Sequence, residues 1–392
     1  MCYAIPGKVV GIEDSLVTVD YFGEKKRARN DFLSLKIGEY VYAQGGFVIQ
    51  RIPEQEALAI LEAWKELFFR LQVTDSRISA KPRSLYQRAN FLRHKYTGNS
   101  CCVHGIIEFS NFCRNDCLYC GLRKSNDRVK RYRMEIEEII ETADYAVNKF
   151  GFKALVFQSG EDLWYDREKV CRMIKKIRER CACLIILSLG EREEEFYEEA
   201  YKAGARGVLL RFETSNPLLY EKFRPGHILE ERVGLIKKLS SLGYLIMTGF
   251  LIGLPGQTKE DVDKDIDLTA HLRPEMFSFG PFIPHPDTPL GEYSPPPLEW
   301  VLDTIAEARL KNPSARILVT TALETLDKNE GLRLGLLSGA NSLMINVTPE
   351  QYRSYYELYP DRAGTDIKIE ERISYVKELL HSLGRAPTDL GI

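Results

Sequence analysis

Strand-like and helix-like segments alternate from about residue 103 to residue 347, and this alternation constrains the fold more than any other feature. Short apolar runs predict eight strands, at 103–109, 154–159, 184–189, 207–213, 245–252, 276–283, 316–321 and 342–347. Amphipathic segments predict helices between most of them, for example at 136–150, 166–178, 229–242, 259–271 and 298–310. Eight strands joined by helical crossovers predict a complete (β/α)8 barrel of the α/β class.

The first 72 residues follow a different pattern. Five short strand-like segments without a helix between them, at 8–12, 16–22, 25–30, 39–43 and 47–52, indicate a small barrel or sandwich, and of these we expect an all-β barrel similar to an OB fold. Pro53 then begins a helix that is expected to pack on these strands. The polar segment 73–84 is predicted to be a linker, so the predicted domains are 1–72 and 85–392.

Three cysteines follow the first barrel strand with the spacing Cys-x3-Cys-x2-Cys, at Cys113, Cys117 and Cys120. Clustered thiolates select zinc, copper(I) or an iron–sulfur cluster. A structural zinc site needs four ligands, and the next Cys or His after this loop is Cys171. Three ligands on a four-iron cluster leave one iron open to bind a reactive molecule. The loop therefore favours a [4Fe–4S] cluster with one open iron.

Composition places the chain among ordinary globular proteins, with 44% hydrophobic residues and 28% charged residues. A net charge of −2 gives no reason to expect nucleic acid or an anionic membrane as a partner. The N-terminus lacks the apolar run of a signal peptide, and no stretch is long and apolar enough to span a bilayer. Nine cysteines, an odd number, indicate a reducing cytoplasm. Those outside the loop at 101, 102, 181 and 183 are predicted to be core residues.

The cysteine loop, with Tyr119 before its last Cys, resembles that of the radical S-adenosylmethionine (SAM) superfamily. The longer run 106–123 resembles the HydE maturases of [FeFe]-hydrogenase, in the biotin-synthase-like branch. In this superfamily the amine and carboxylate of SAM bind the open iron, and the reduced cluster cleaves SAM to methionine and a 5′-deoxyadenosyl radical. Many HydE chains carry a second cysteine set near the C-terminus, but the last Cys here is Cys183. The resemblance therefore implies SAM and one [4Fe–4S] cluster as cofactors.

The active sites of (β/α)8 barrels lie at the C-terminal ends of the strands, so polar residues there are candidate site residues. The resemblance implies cofactor binding by Tyr119, Gln158, Ser159, Glu161, Glu213, Arg232, Gly253 and Leu254. It implies substrate binding by Arg211, Thr320, Thr321, Met344, Tyr356 and Tyr359. From the residues alone, Glu161 could instead cap a helix, Arg232 could be an exposed helix residue, and the tyrosines could form a packing stripe.

Residues 1–72 resemble the HypC family of [NiFe]-hydrogenase chaperones, beginning with the Met-Cys-x-Ala-Ile-Pro-Gly-Lys-Val motif. In that family the Cys after the initiator Met binds an iron that carries cyanide and carbonyl ligands, which implies iron binding by Cys2. The family usually has a His shortly before Gly-Phe-x-Ile-Gln, where this chain has Gln44, and an amide cannot replace an imidazole ligand. The resulting hypothesis is that Cys2 holds an iron fragment at the mouth of the barrel, near the cysteine loop.

The two resemblances together predict a radical SAM enzyme that handles an iron–cysteine–carbonyl–cyanide fragment during hydrogenase cofactor assembly. Expected partners are this small organometallic substrate, an electron donor such as ferredoxin or flavodoxin, and other hydrogenase maturation proteins. One alternative is a methylornithine-synthase-like or other barrel radical SAM enzyme that acts on a small molecule. Another is a chaperone that binds the iron fragment without catalysis.

Overall fold

The computed structural model describes residues 5–80 and 82–390. Its strands are β1 (Gly7–Glu13), β2 (Leu16–Tyr21), β3 (Glu24–Arg29), β4 (Tyr40–Gln44), β5 (Phe47–Ile52), β6 (Ser100–Ser110), β7 (Ala154–Ser159), β8 (Leu184–Ser188), β9 (Gly207–Leu209), β10 (Leu245–Thr248), β11 (Leu251–Ile252), β12 (Met276–Phe277), β13 (Gly280–Pro281), β14 (Ser342–Asn346) and β15 (Ala386–Pro387). Its helices are α1 (Glu54–Ile78), α2 (Leu85–Thr97), α3 (Ile136–Asn148), α4 (Arg167–Arg180), α5 (Glu194–Ala203), α6 (Pro217–Phe223), α7 (Leu229–Ser241), α8 (Lys259–His271), α9 (Leu298–Lys311), α10 (Thr321–Leu326), α11 (Gly331–Leu337), α12 (Glu350–Arg353) and α13 (Ile369–Ser382).

The small N-terminal domain is a closed five-stranded barrel in the order β1-β2-β3-β5-β4, which confirms the predicted fold of this region. Alternating residues of β2 face inward, where Val17 and Val19 are fully buried, as the period of two predicts. Helix α1 covers this barrel with Trp64, Phe68 and Leu71, which pack in the same hydrophobic cluster as the strands. The helix therefore closes the small core against solvent.

The large domain is a barrel of parallel strands in the order β12-β10-β9-β8-β7-β6-β14, surrounded by helices, and this confirms the predicted (β/α)8 architecture. The predicted seventh strand at 316–321 is shorter than expected. Ile317 bridges to Phe277 and Leu318 bridges to Ser342, so the segment closes the ring between β12 and β14 without forming a longer ladder. It ends early because Thr320 caps α10 with its side chain, and Thr321 already belongs to that helix.

Three other predicted strands are also shorter or divided. The strand at 207–213 ends at Leu209, and those at 245–252 and 276–283 each split into two short strands. Gly249 lies at one break, where an added Cβ would meet the Ser278 carbonyl oxygen at 2.2 Å. The two backbones therefore approach each other too closely for a regular ladder. Beyond the breaks, β11 and β13 pair separately near the rim of the barrel.

The predicted linker at 73–84 is wrong for its first half, because α1 continues through Ile78. The physical reason is Asp75, whose carboxylate is completely buried and accepts two hydrogen bonds of 2.6 Å from Arg93 of α2. Arg385, near the C-terminus, approaches the same carboxylate to 3.5 Å. The end of α1 is thus held against the barrel domain by buried ion pairs, which the polar composition of the segment did not reveal.

The small domain packs against the N-terminal ends of the barrel strands, opposite the end that carries the cysteine loop. Phe47 is buried in one cluster with Leu184 and Met247 inside the bottom of the barrel. The Gln44 side-chain amide donates to the Thr388 carbonyl at 2.8 Å, and Arg206 pairs with Asp31 at 2.9 Å. The described part of the small domain thus lies at the bottom of the barrel, whereas the hypothesis places Cys2 at its mouth and stays a prediction. Cys2 itself lies outside the described residues.

The C-terminal segment after α13 was not predicted to take part in the sheet. Strand β15 pairs in parallel with the beginning of β6, and Thr388 donates its backbone N–H to the Cys101 carbonyl at 2.9 Å. The segment therefore lies between the small domain and the bottom of the barrel.

None of the helices in the described part of the chain is long and apolar enough to cross a membrane.

Candidate active site

A cavity of about 320 Å³ opens at the C-terminal ends of the barrel strands. Its lining includes the three loop cysteines and most of the residues singled out from the sequence: Tyr119, Gln158, Ser159, Glu161, Arg211, Glu213, Arg232, Thr320, Thr321, Met344, Tyr356 and Tyr359. Side chains from all around the barrel thus meet in one chamber, because parallel strands end at the same face.

The cysteine loop is fixed by its own backbone and by an ion pair. The Leu118 N–H donates to the Phe223 carbonyl, and the Gly121 N–H donates to the Leu358 carbonyl, each at 2.9 Å. Arg123 donates two hydrogen bonds, of 2.8 and 2.6 Å, to the Asp116 carboxylate within the loop. These contacts hold the loop in place without using the sulfur atoms, although the Asn115 N–H also donates to the Cys113 sulfur at 3.5 Å.

Gly160, at the end of β7, allows the cysteine loop to approach the barrel. A Cβ at this position would lie 2.2 Å from the Phe112 carbonyl oxygen and 2.9 Å from the Cys113 Cβ. Both contacts are with backbone or with the first side-chain atom, so neither neighbour can yield by rotating. The cysteine loop is therefore the segment that requires a glycine at this position.

We expect Gly160→Ala to displace the cysteine loop and to reduce the iron bound after anaerobic reconstitution. The clash should cost about 1–3 kcal/mol of stability. Gly234→Ala is the matched control, because a Cβ there meets no atom within 4 Å. Iron content and the unfolding free energy of both variants check this expectation. Equal iron content in the two variants would contradict it.

Burial raises the pKa of all three loop thiols, so they stay protonated unless a cation binds them. At Cys117 the buried Arg224 guanidinium opposes this effect. Arg224 also donates to the Tyr220 hydroxyl at 2.9 Å, and its Nε has no hydrogen-bond partner among the described residues. Three converging thiols beside a buried guanidinium suit an anionic, thiolate-ligated iron–sulfur cluster. The residues present therefore fit a [4Fe–4S] cluster with three protein ligands.

Acidic and basic side chains line the part of the cavity predicted for SAM. Glu213 has a left-handed backbone with φ of 68°, and its Oε2 atom has no hydrogen-bond partner in the described parts of the chain. The Arg211 guanidinium forms an ion pair with this same oxygen at 3.3 Å. A non-glycine residue in this conformation is strained, and such strain is concentrated at functional sites. Arg211, predicted for the substrate, thus lies beside a residue predicted for SAM.

Arg232 is buried, which excludes the alternative of an exposed helix residue. It donates at 2.9 Å to both the Glu191 carboxylate and the Arg211 carbonyl, and it lies 3.8 Å from Glu161. Sequence reasoning missed Glu191, which also lies 3.0 Å from His227. Glu161 accepts hydrogen bonds from Arg114 and from the Glu191 backbone N–H. Arg232 therefore orders the cluster formed by the Glu161 and Glu191 carboxylates.

Gly253 and Leu254 are the two described cofactor candidates that do not line the cavity. Their N–H groups both donate to the Gln257 side-chain oxygen, at 2.7 and 3.2 Å. The Gln257 amide nitrogen in turn donates to Asp265. The backbone donors of this turn are already paired, and a role in SAM binding stays a prediction for both residues.

A buried ion pair stands at the other end of the cavity, where substrate residues were predicted. Glu108 is completely buried in β6 and accepts two hydrogen bonds from Arg362, of 2.5 and 3.2 Å. Asn346 donates to the same carboxylate at 2.8 Å. Sequence reasoning missed this pair. The signal for Glu108 was a single charged residue on the inward face of an apolar strand, whereas Arg362 lies in an irregular loop that has no pattern.

The sequence profile of the radical SAM superfamily matches residues 107–269, and that of the HupF/HypC family matches residues 1–64. The [FeFe] hydrogenase maturase subunit HydE of Thermotoga maritima is 40% identical over 332 residues, which cover 84% of this chain and 94% of that protein. The 3-methylornithine synthase of Methanosarcina barkeri is 28% identical over 301 residues, covering 76% and 83%.

The crystal structure of methylornithine synthase (PylB) superposes with a TM-score of 0.66 at 27% identity and covers 82% of this chain and 97% of that one. Membership in the radical SAM superfamily implies a [4Fe–4S] cluster and SAM, which agrees with the fit of the cysteine loop. The match to the maturase covers most of both chains, and the cysteine loop lies at the mouth of the barrel. The chain therefore belongs to the HydE family of radical SAM enzymes.

Proposed function

We propose that this protein is a hydrogenase maturase that binds SAM and a small iron–cysteine–carbonyl–cyanide fragment in one cavity. The observation that carries the proposal is the continuity of this cavity from the three cysteines to the Glu108–Arg362 pair. Because its lining runs from the three cysteines to Arg362, the chamber offers separate ends for a cofactor and for a small anionic substrate.

The roles of the chain's residues follow from their positions. Cys113, Cys117 and Cys120 would hold one cluster, and no second cysteine set follows Cys183 in the sequence. When bound, a reduced [4Fe–4S] cluster supplies the electron that cleaves SAM. Glu213 would accept a hydrogen bond from SAM with Oε2, which has no hydrogen-bond partner among the described residues although Arg211 lies 3.3 Å away, and Arg232 would bind the SAM carboxylate in place of Glu191.

Arg362 supports an anionic substrate. Its side chain is largely buried and bound to Glu108, and its Nε has no hydrogen-bond partner among the described residues. A guanidinium fixed in this way can donate to a cyanide nitrogen or to a cysteine carboxylate. Thr320 and Thr321 also line the cavity.

Thiols are scarce around the substrate end. Among the described residues that line the cavity, the only cysteines are the three of the loop. A thiol donates a hydrogen atom readily, so its absence from the remaining lining protects a carbon radical from quenching. This feature favours catalysis over the alternative of a chaperone that only stores the fragment.

Glu213→Ala and Arg232→Ala should each weaken SAM binding by about ten- to a hundredfold, because each removes a hydrogen bond to a charged group, worth about 1.5–3 kcal/mol. Calorimetric titration of the reconstituted protein with SAM gives the Kd. Glu195→Ala and Arg167→Ala are matched controls, because these two residues form an exposed ion pair between α4 and α5. Unchanged SAM affinity in the first two variants would remove these residues from the SAM site.

Complementation tests the proposed function. The full chain, produced in a host that makes a hydrogenase but lacks its own HydE protein, should restore hydrogen evolution. Arg362→Leu should abolish the restored activity, and Arg333→Leu, at an exposed helical position, should not. Repeating the test in one host that makes an [FeFe] hydrogenase and in another that makes a [NiFe] hydrogenase shows which of the two enzymes is the target.

We further propose a ferredoxin or flavodoxin as electron donor, and other maturation proteins as recipients of the product.

A second candidate is favoured by the similarity to 3-methylornithine synthase. It predicts that the reduced protein forms 3-methylornithine from a small amino acid and fails to restore hydrogenase activity. The chaperone alternative predicts that Cys113→Ala still restores it. Neither result is expected.

A further inference from the structure

Three potential metal ligands meet at the bottom of the barrel, far from the cysteine loop. Cys102 and His104 alternate along β6 and so share the inward face of that strand. Asp389 of the C-terminal segment lies beside them, and one ligand atom of each residue lies within 4.8 Å of the other two. Each residue is 3–4% exposed. The cluster therefore belongs to the interior and not to the surface.

The separation of the imidazole from the carboxylate suits coordination better than hydrogen bonding. His104 Nε2 lies 3.4 Å from Asp389 Oδ2. Two ligands at about 2.0–2.1 Å from a tetrahedral zinc ion are separated by about 3.4 Å. His104 Nδ1 has no hydrogen-bond partner among the described residues. A metal bond would satisfy Nε2, whose contact with Asp389 is long for a hydrogen bond, and the proton of the neutral imidazole would then lie on Nδ1.

The surroundings leave room for one further ligand. A small cavity of about 10 Å³ adjoins the cluster and is also lined by Gln44 and Thr388. This space is close to what one water molecule needs. Arg316, the nearest guanidinium, is paired with Glu275. One thiolate and one carboxylate would balance the two charges of a divalent cation, so the loaded site would be neutral.

We propose that Cys102, His104 and Asp389 bind one divalent cation of the zinc class, with water as the fourth ligand. Binding releases the Cys102 thiol proton and uses a neutral imidazole. The ion would join β6 to the C-terminal segment, whose Thr388 carbonyl also accepts a hydrogen bond from Gln44 of the small domain. This site would therefore help to hold together the small domain, the barrel and the C-terminus, and it is independent of the proposed function.

The test uses the full chain with Cys113, Cys117 and Cys120 replaced by alanine, so that the loop thiols cannot bind the probe. After treatment with a chelator, the protein is titrated with Co²⁺ without oxygen. We expect one equivalent to bind, with a thiolate-to-cobalt charge-transfer band and the intense visible bands of tetrahedral Co²⁺, and Zn²⁺ to displace it. Adding Cys102→Ser should remove the charge-transfer band. Adding Cys101→Ser, at the neighbouring buried thiol outside the cluster, should leave it unchanged.

His104→Gln and Asp389→Asn should each weaken Co²⁺ binding at least about tenfold. The proposal is overturned if no Co²⁺ binds, or if the band survives Cys102→Ser. Should the alanine background fail to fold, zinc is counted by mass spectrometry in the intact, cluster-loaded protein. One zinc per chain that disappears in Cys102→Ser and persists in Cys101→Ser supports the site, and any other count overturns it.

Discussion

Replacing any one of Cys113, Cys117 and Cys120 with alanine is expected to abolish both the iron–sulfur cluster and all formation of 5′-deoxyadenosine. The three thiols are the only ones that line the cavity within the described residues, so no neighbouring cysteine can substitute for a lost ligand. Two thiolates rarely retain a four-iron cluster. Iron content, the visible absorption of the cluster and chromatography of the nucleoside product measure the effect.

Cys171→Ala is the matched control for this result. Cys171 is a half-buried thiol of α4 that does not line the cavity. It should retain full iron content and full SAM cleavage. Cleavage that persists in any one of the three loop variants, at a rate comparable to the control, would show that the loop does not hold the reactive cluster.

Asp75→Ala is expected to destabilise the protein by about 3–5 kcal/mol, the usual effect of removing one partner of a buried ion pair. The reason is that Arg93 and Arg385, which are 0% and 1% exposed, would lose their counter-charge while remaining buried. Burial raises the pKa of the Asp75 carboxyl, but the hydrogen bonds and positive charges around it, chiefly those of Arg93 and Arg385, outweigh burial. The pKa of Asp75 is therefore lower than its ordinary value. This contribution to stability is therefore present at neutral pH and is lost as the pH falls below about 4.

Asp267→Ala is the control for the stability measurement, because Asp267 forms an exposed ion pair with Lys311. Such a pair should contribute less than about 1 kcal/mol. Chemical denaturation of both variants, followed separately by tryptophan fluorescence and by circular dichroism, gives the free energies of unfolding. Similar values for the two variants would contradict the role assigned to Asp75 at the junction of the domains.

Periodicity predicted both folds because the strands of the large barrel are buried on both faces and a strand of the small one such as β2 alternates between its two faces. The residues of β7 and β8 are almost all inaccessible, and such strands appear in a sequence as continuous apolar runs. The predicted seventh barrel strand is too long, because a threonine such as Thr320 can either continue a strand or cap a helix. Only the contacts of α10 decide between these two roles. Local patterns also missed Asp75, whose burial depends on Arg385 more than three hundred positions away.

The candidate site was predicted where a motif is local and missed where partners are distant. The cysteine loop and Glu161 lie next to predicted strand ends, so the barrel topology alone brings them together. Glu191 and Arg362 act through ion pairs with residues remote in sequence, and no periodicity marks them. The position of the small domain was also beyond prediction. This position depends on individual contacts, such as the hydrogen bond from Gln44 to Thr388, that no sequence pattern in either segment predicts.

Reductive cleavage of SAM tests the central claim most directly. The protein is reconstituted with iron and sulfide without oxygen, and one [4Fe–4S] cluster per chain is expected, which gives about four iron atoms. After reduction with dithionite and addition of SAM, 5′-deoxyadenosine and methionine should appear in equal amounts, and none should appear with Cys113→Ala. A fully loaded and fully reduced protein that releases no 5′-deoxyadenosine, with or without the proposed iron fragment, would contradict the assignment of radical SAM chemistry to this cavity.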